Sequence, residues 1–293
     1  MPPILIHEDP EFFRSAVTFT AATTGFQPRL IEKDYFCSVL LQYLAKANGS
    51  LIFKGGTCLA KVLVDFYRLS EDLDFVIPMD VDSTRAERSR QAAPLKTAID
   101  SLPKQLPVFR LDRPLIGANY STQYLAAVKY TSLVSGQSDT IKLEIGLREP
   151  LMLPKTHGRA RTILLNPSSG ESLVEQLDLR CISRLEAFAE KFRAALSRRE
   201  VAIRDFYDLD YAIRQNLFRP ENEQLINLVR QKMRIPGNQP VDTSEPRLTE
   251  LRHQVEAQLR PVLRESDFQD FDVDRAVGII SDMAARVSDF PRS

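Results

Sequence analysis

A single stretch, Phe53 to Ile77 (FKGGTCLAKVLVDFYRLSEDLDFVI), constrains this chain more than any other. The short apolar run Leu51-Ile52-Phe53 leads into Lys54-Gly55-Gly56-Thr57, and Leu73 to Ile77 follows, closed by Pro78. The spacing predicts a buried strand, a glycine turn, a helix from Cys58 to about Phe66 and a second strand. Two adjacent glycines let the backbone turn sharply and approach a phosphate without a Cβ in the way. N–H groups at the start of the following helix, with the Thr57 hydroxyl, can hold phosphate oxygens. A Walker A loop is excluded, because Lys61 lies between Ala60 and Val62 and lacks the preceding Gly and the following Ser or Thr.

Asp72 and Asp74 stand two apart, so on a strand they project from one face while Leu73 and Phe75 point into a core. Carboxylates about 6–7 Å apart on neighbouring same-face positions repel by about 2–3 kcal/mol at an effective dielectric near 20. A divalent cation removes that repulsion, and Mg²⁺ takes one or two carboxylates together with substrate phosphates. Asp-x-Asp also occurs at Asp80/Asp82, Asp208/Asp210, Asp270/Asp272 and Asp272/Asp274. Only Asp72/Asp74 begins an apolar strand just after a strand–glycine turn–helix unit. A third acid is expected, and Glu144 suits it: on a strand over 140–145 it alternates with Ile141, Leu143 and Ile145 and so faces away from the core. Glu144 would complete a metal site or take a proton from an attacking hydroxyl; the alternative is a solvent-facing residue paired with Lys142.

Around this centre the pattern is mixed. A helix is expected over 30–46, ended by Asn48-Gly49, another over 83–102 capped by Ser83 or Thr84, and strands over 108–111, 124–130, 140–145 and 161–165. From Ser172 helical patterns dominate, over 182–197, 200–215, 222–233, 247–264 and 272–289, interrupted by the Pro- and Gly-containing loop 236–246. The expected organisation is an α+β (mixed α/β) sheet domain over 1–168, a linker near 168–172, and a helical C-terminal domain over 172–293, with a cleft between domains as a usual place for a site.

Composition narrows the chemistry. Lys plus Arg equals Asp plus Glu at 39 each, so any phosphate binding must come from a local cluster. Three cysteines and three histidines are scattered without metal-ligand spacing, which points to a reducing cytoplasm and, if a metal is used, to a hard cation on carboxylates. The first residues lack a secretory pattern, and no apolar run is long enough to span a membrane.

A second dense stretch runs from Glu190-Lys191 through Arg198-Arg199 to Arg204-Asp205-Phe206-Tyr207-Asp208. It reads either as a salt-bridged helix pair or, beside the first motif, as a source of fixed positive charge. Lys191 would then meet a nucleotide triphosphate, and Arg198, Arg199 and Arg204 RNA phosphates. Together, FKGGT…RLSEDLDF, the later KLE strand and EKF…RR…RDFYDL resemble the AbiEii/AbiGii family of nucleotidyltransferase toxins, related to the MenT toxins, over roughly residues 28–215.

The resemblance implies a polymerase-β-like nucleotidyltransferase core with a helical C-terminal domain, in a toxin–antitoxin or phage-defence system with a cognate antitoxin. It implies that Lys54, Gly55, Gly56 and Thr57 cradle the nucleotide and that Asp72 and Asp74, with Glu144, bind Mg²⁺ (or Mn²⁺). Lys191 would contact the nucleotide, and Asp208 would be the later acid. The function expected is transfer of an NMP from an NTP to an RNA 3′ end, the tRNA acceptor stem foremost. The alternatives are transfer to a protein or small-molecule hydroxyl and a non-catalytic RNA- or partner-binding protein. A metal-independent ribonuclease built on Arg247 and His253 is the remaining rival.

Overall fold

The computed structural model describes residues 4–47 and 49–288. The expected break at Asn48 and the last position, 289, of the expected terminal helix lie outside the described residues. The chain divides into two compact units, Met1–Ile182 and Ser183–Ser293.

The first unit is built on a seven-stranded sheet in the order β3-β4-β5-β2-β1-β7-β6. Its strands are β1 (Ile52–Lys54), β2 (Leu73–Val76), β3 (Phe109–Ala118), β4 (Gln123–Thr131), β5 (Ser138–Gly146), β6 (Thr156–Ala160) and β7 (Leu177–Cys181). Its helices are α1 (Pro10–Thr24), α2 (Pro28–Ala47), α3 (Gly55–Cys58) and α4 (Arg85–Gln105). The central strand β2 runs antiparallel to β1 and parallel to β5. Period-2 alternation sorts the sheet into two faces: Leu73, Phe75, Ala126, Val128, Ile141, Leu143 and Ile145 are buried on one, and the other, the more polar, carries Asp74, Lys142 and Glu144 beside the less buried Leu125 and Ala127. Phe36 of α2 stacks on Phe109 and Tyr130, which places that helix on the apolar face. Thr84 and Glu87 form a reciprocal capping box at the start of α4, at the position expected.

α2 is not the one-sided helix that its pattern predicts. Fourteen of its residues are buried, including Glu32, Lys33 and Asp34, and each charge has partners. Lys61 Nζ reaches the Asp34 carboxylate at 2.5 Å, with both side chains essentially sealed from solvent, and it also donates to Ser38 Oγ at 2.8 Å. The lysine that failed the Walker pattern is thus a core ion pair. Glu32 accepts from Ser132 Oγ and from the backbone N–H groups of Leu133 and Val134, which anchors the β4–β5 turn; burial still pushes its carboxyl above the ordinary value.

Three further elements differ from the expected pattern. Residues 161–165 are not a strand: the strand is β6, just upstream, and Leu165 makes only an isolated bridge to Ser172. β6 is an edge strand, THGRA, whose mostly exposed positions carry no apolar signal. β7 (LDLRC) alternates apolar and polar residues and pairs parallel to β1 through Phe53 and Cys181, so the sheet continues beyond 168 and the first unit ends at Ile182. β3 runs on to Ala118 through Pro114, which an edge strand tolerates because its outward N–H has no ladder partner to lose.

The second unit consists of α5 (Arg184–Ser197), α6 (Ile203–Arg214), α7 (Glu223–Met233), α8 (Glu245–Gln254), α9 (Glu265–Gln269) and α10 (Val273–Ser288). α5 packs on α6 and α7, and α10 packs on α5, α6 and α7. The helix expected over 247–264 ends at Gln254; a wider π-helical turn and then a tight turn containing Pro261 follow it.

Candidate active site

The glycine turn and the paired acids meet at the centre of the sheet. Lys54, the last residue of β1, stands opposite Asp74 in the antiparallel pair, and Asp74 stands beside Glu144 in the parallel one. Partners in register share a face, so Asp74 and Glu144 project side by side. Asp72 lies one residue before β2 in a bend, and its Oδ1 accepts the Lys142 N–H at 3.3 Å. All three acids line a single cleft of about 260 Å³ on the polar face. Glu144 is exposed and has no ion-pair partner among the described residues, so pairing with Lys142 is not its role.

Gly55 adopts φ +76°, and a Cβ placed on it would lie 2.1 Å from Asp74 Oδ2. No side chain fits there, so this position requires glycine twice over, for its dihedral and for the carboxylate packed against it. A Cβ on Gly56 would lie 2.6 Å from Nη2 of Arg68. Arg68 is 2% exposed, a buried guanidinium packed beneath the turn; its Nη1 donates to the Leu69 carbonyl at 3.3 Å.

Thr57 departs from expectation. It is 1% exposed, and its hydroxyl donates to the backbone carbonyl of Asp72. Instead of facing a ligand, it ties the glycine turn to the acid-bearing segment, as a short hydroxyl will when a carbonyl lies within reach. The helix beyond the turn is also short: α3 spans four residues and passes into a six-residue π-helical segment, Leu59–Val64.

A clamp that the sequence did not reveal holds the acids from behind. Arg29 and Lys33 of α2 both bind Glu71, at 2.5 and 3.3 Å, and Asp139, at 2.7 and 3.1 Å. Glu71 directly precedes Asp72, and Asp139 begins the strand that carries Glu144. Burial pushes the Asp139 carboxyl up, but Lys33, then the Thr140 N–H and Arg29, together outweigh it and hold the group below its ordinary value of 3.8. The signal was present in IEKDYF and SEDLDF, but which lysine meets which acid depends on contacts 38 and 106 residues apart in sequence.

In the helical unit the second motif forms a cluster of its own. Lys191 Nζ lies 2.7 Å from both Asp205 Oδ1 and Asp208 Oδ2, and its side chain is 13% exposed. Arg198 reaches Asp205 at 3.3 Å, Arg199 is exposed, and Arg204 Nε donates to the Gln258 carbonyl at 3.3 Å. Arg247 donates to the carbonyls of Arg198 and Ala195 at the end of α5, a capping task that leaves the Arg247–His253 ribonuclease pair without support.

Among the described residues no three His, Cys, Asp or Glu side chains converge into a ready-made cage. The donors at Asp72 and Asp74 are hard oxygens in an open cleft, and Gly55 lets the Asp74 carboxylate pack against the turn. That arrangement fits a cation that keeps waters and substrate oxygens among its ligands, as Mg²⁺ does.

The profile of a family described as "Nucleotidyl transferase AbiEii toxin, Type IV TA system" matches residues 39–281. The chain belongs to the AbiEii family. It is thus a nucleotidyltransferase toxin of the type IV toxin–antitoxin class, and AbiEii membership implies an NTP substrate and an antitoxin partner. The fold has a solved counterpart. MenT4, the nucleotidyltransferase toxin Rv2826c from Mycobacterium tuberculosis H37Rv, superposes with a TM-score of 0.57 at 18% identity, covering 95% of this chain and 90% of that one. JHP933 from Helicobacter pylori aligns at a TM-score of 0.49 and 17% identity, covering 87% of this chain and 92% of that one. No curated sequence matches this AbiEii chain significantly. None of its helices, among the described residues, is long and apolar enough to cross a membrane.

Proposed function

We propose that this AbiEii chain transfers a nucleoside monophosphate from an NTP to the 3′ hydroxyl of an RNA, the tRNA acceptor stem, in the cytoplasm, forming a phosphodiester as the α–β phosphoanhydride bond breaks and pyrophosphate leaves. The observation that carries this reading is the in-register placement of Asp74 beside Glu144, with Gly55 against the Asp74 carboxylate. Asp72 and Asp74 would hold Mg²⁺, which Mn²⁺ can replace, and the cation would supply Lewis-acid stabilisation of charge on the phosphoryl oxygens. Glu144, exposed and unpaired, accepts the proton of the attacking hydroxyl at its carboxylate. Lys54 and the backbone of the Gly55-Gly56 turn would meet the nucleotide phosphates. In the helical unit, Lys191 contributes a nucleotide contact with Asp208 as the later acid, and Arg198, Arg199 and Arg204 take RNA phosphates. A cognate antitoxin restrains the toxin, and phage defence is the setting that the family resemblance implies.

The test is incubation with total RNA, Mg²⁺ and each α-labelled NTP in turn. Label is expected in RNA of tRNA size, lost with EDTA and lost in a folded Asp74→Ala variant. Label on protein, or undiminished labelling by Asp74→Ala, would overturn the reading.

A further inference from the structure

Beyond the acids, the same cleft has a second wall that no part of the reaction above uses. Two cross-strand rows run over the polar face. One passes from Asp74 through Glu144 and Leu125 to Ile116. The other passes from Lys142 through Ala127 to Arg113, with Asp72 bound to the Lys142 N–H at its inner end. Neighbouring strands lie about 4.8 Å apart, so the backbones at Arg113 and Lys142 are roughly 10 Å apart with the small Ala127 between them. Two long cationic side chains flanking a methyl group leave room for one anion between them.

Three observations mark these cations as waiting for a ligand. First, neither Arg113 nor Lys142 has an ion-pair partner among the described residues, although four carboxylates line the cleft; the nearest in sequence, Asp112, is bound to Lys129 at 2.6 Å. Second, the β3–β4 register shifts on both sides of Arg113, and bulges re-aim a side chain at the expense of the ladder. Third, the adjoining row ends in apolar surface: Leu125 is half-buried and Ile116 is 54% exposed on an edge strand, where a ribose or base can lie. Positive charge beside an apolar strip, one strand away from the acids, is the chemistry of a nucleotide unit within a chain.

We infer that Arg113 and Lys142 bind a phosphodiester of the acceptor RNA close to its 3′ end and so deliver the terminal hydroxyl to Glu144. This rests on the RNA-acceptor reading and adds the surface that receives the strand. Arg113 holds the phosphate bidentately, Lys142 as a point charge, and Ile116 and Leu125 support the neighbouring nucleoside.

The experiment measures transfer kinetics with RNA and NTP varied separately, and RNA binding by fluorescence anisotropy in the Asp74→Ala background, which needs no turnover. Arg113→Ala and Lys142→Ala are each expected to raise KM for RNA about tenfold, the scale of a lost charged hydrogen bond, with KM for NTP unchanged. The double variant lowers the salt dependence of RNA binding by about 1.4 in log–log slope, the value for two phosphate contacts on a single strand. Arg113→Lys recovers part of the loss.

If KM for NTP rises instead, the anion held there belongs to the nucleotide and the inference falls. It also falls if RNA is labelled but neither variant changes KM for RNA, while the acceptor reading stands. If RNA binding weakens as described yet no RNA is ever labelled, the surface stands and the acceptor reading fails. If Asp74→Ala binds no RNA at all, both fail.

Discussion

At Gly55 a single missing methyl group decides the geometry of the site. Alanine there would place its Cβ 2.1 Å from Asp74 Oδ2 and would have to adopt φ +76°. The dihedral costs about 1 kcal/mol for an L side chain, and the overlap must be relieved by moving the carboxylate. Gly55→Ala is therefore expected to cut nucleotide transfer at least about 100-fold, as a displacement near 1 Å does to reacting groups. Its loss of stability should stay within about 1–3 kcal/mol. Single-turnover assays beside a urea melt separate the two effects. That Asp72, Asp74 and Glu144 share a face beside Gly55 was legible because each carries a local signal: glycine at a turn, and charge on the polar phase of an apolar strand. Thr57 was misread because a hydroxyl near a glycine turn suits a phosphate and a carbonyl equally well; only the return of Asp72 to the turn decides for the carbonyl.

Among elements, α2 shows how tertiary context overrides periodicity. Its charged residues look like a solvent face, yet they are sealed against the sheet by Lys61, Glu71, Asp139 and the β4–β5 turn. Lys33 joins the starts of both acid-bearing strands, so Lys33→Met should destabilise the protein by about 2 kcal/mol at pH 7, the scale of hydrogen bonds to charged groups. The pH dependence follows from Asp139, whose carboxyl is depressed in the native state. Stabilisation of that kind is complete above the unfolded value of 3.8 and is lost as the pH falls through the lower native value. The difference between wild type and Lys33→Met in urea unfolding should therefore be full at pH 6–7 and shrink below pH 4. A difference that grows on acidification would rule this out. None of these pairings is visible in sequence, because each joins residues tens of positions apart.

For the molecule as a whole, the mixed sheet followed by helices was legible, and its limits were not. Alternation exposes interior strands such as β5, whereas the edge strand β6 has no apolar phase, and β7 was overshadowed by the long helical stretch after it. The difference has a direct test. A fragment covering 1–168 keeps β2 but lacks β7, the other partner of β1, and leaves that strand with a bare edge, so it should aggregate; a fragment covering 1–182 retains β7 and should stay monodisperse in size-exclusion chromatography. Equal behaviour of the two fragments would show that β7 is dispensable to the sheet.

The lateness of β7 also governs when a newly made chain can begin to act. The strand that leads into the glycine turn acquires its second neighbour only after residue 181 has left the ribosome, long after the acids at 72, 74 and 144 have been made. Translation broken off before that point leaves one flank of the glycine turn bare, so the acids wait on a brace that is made well after them.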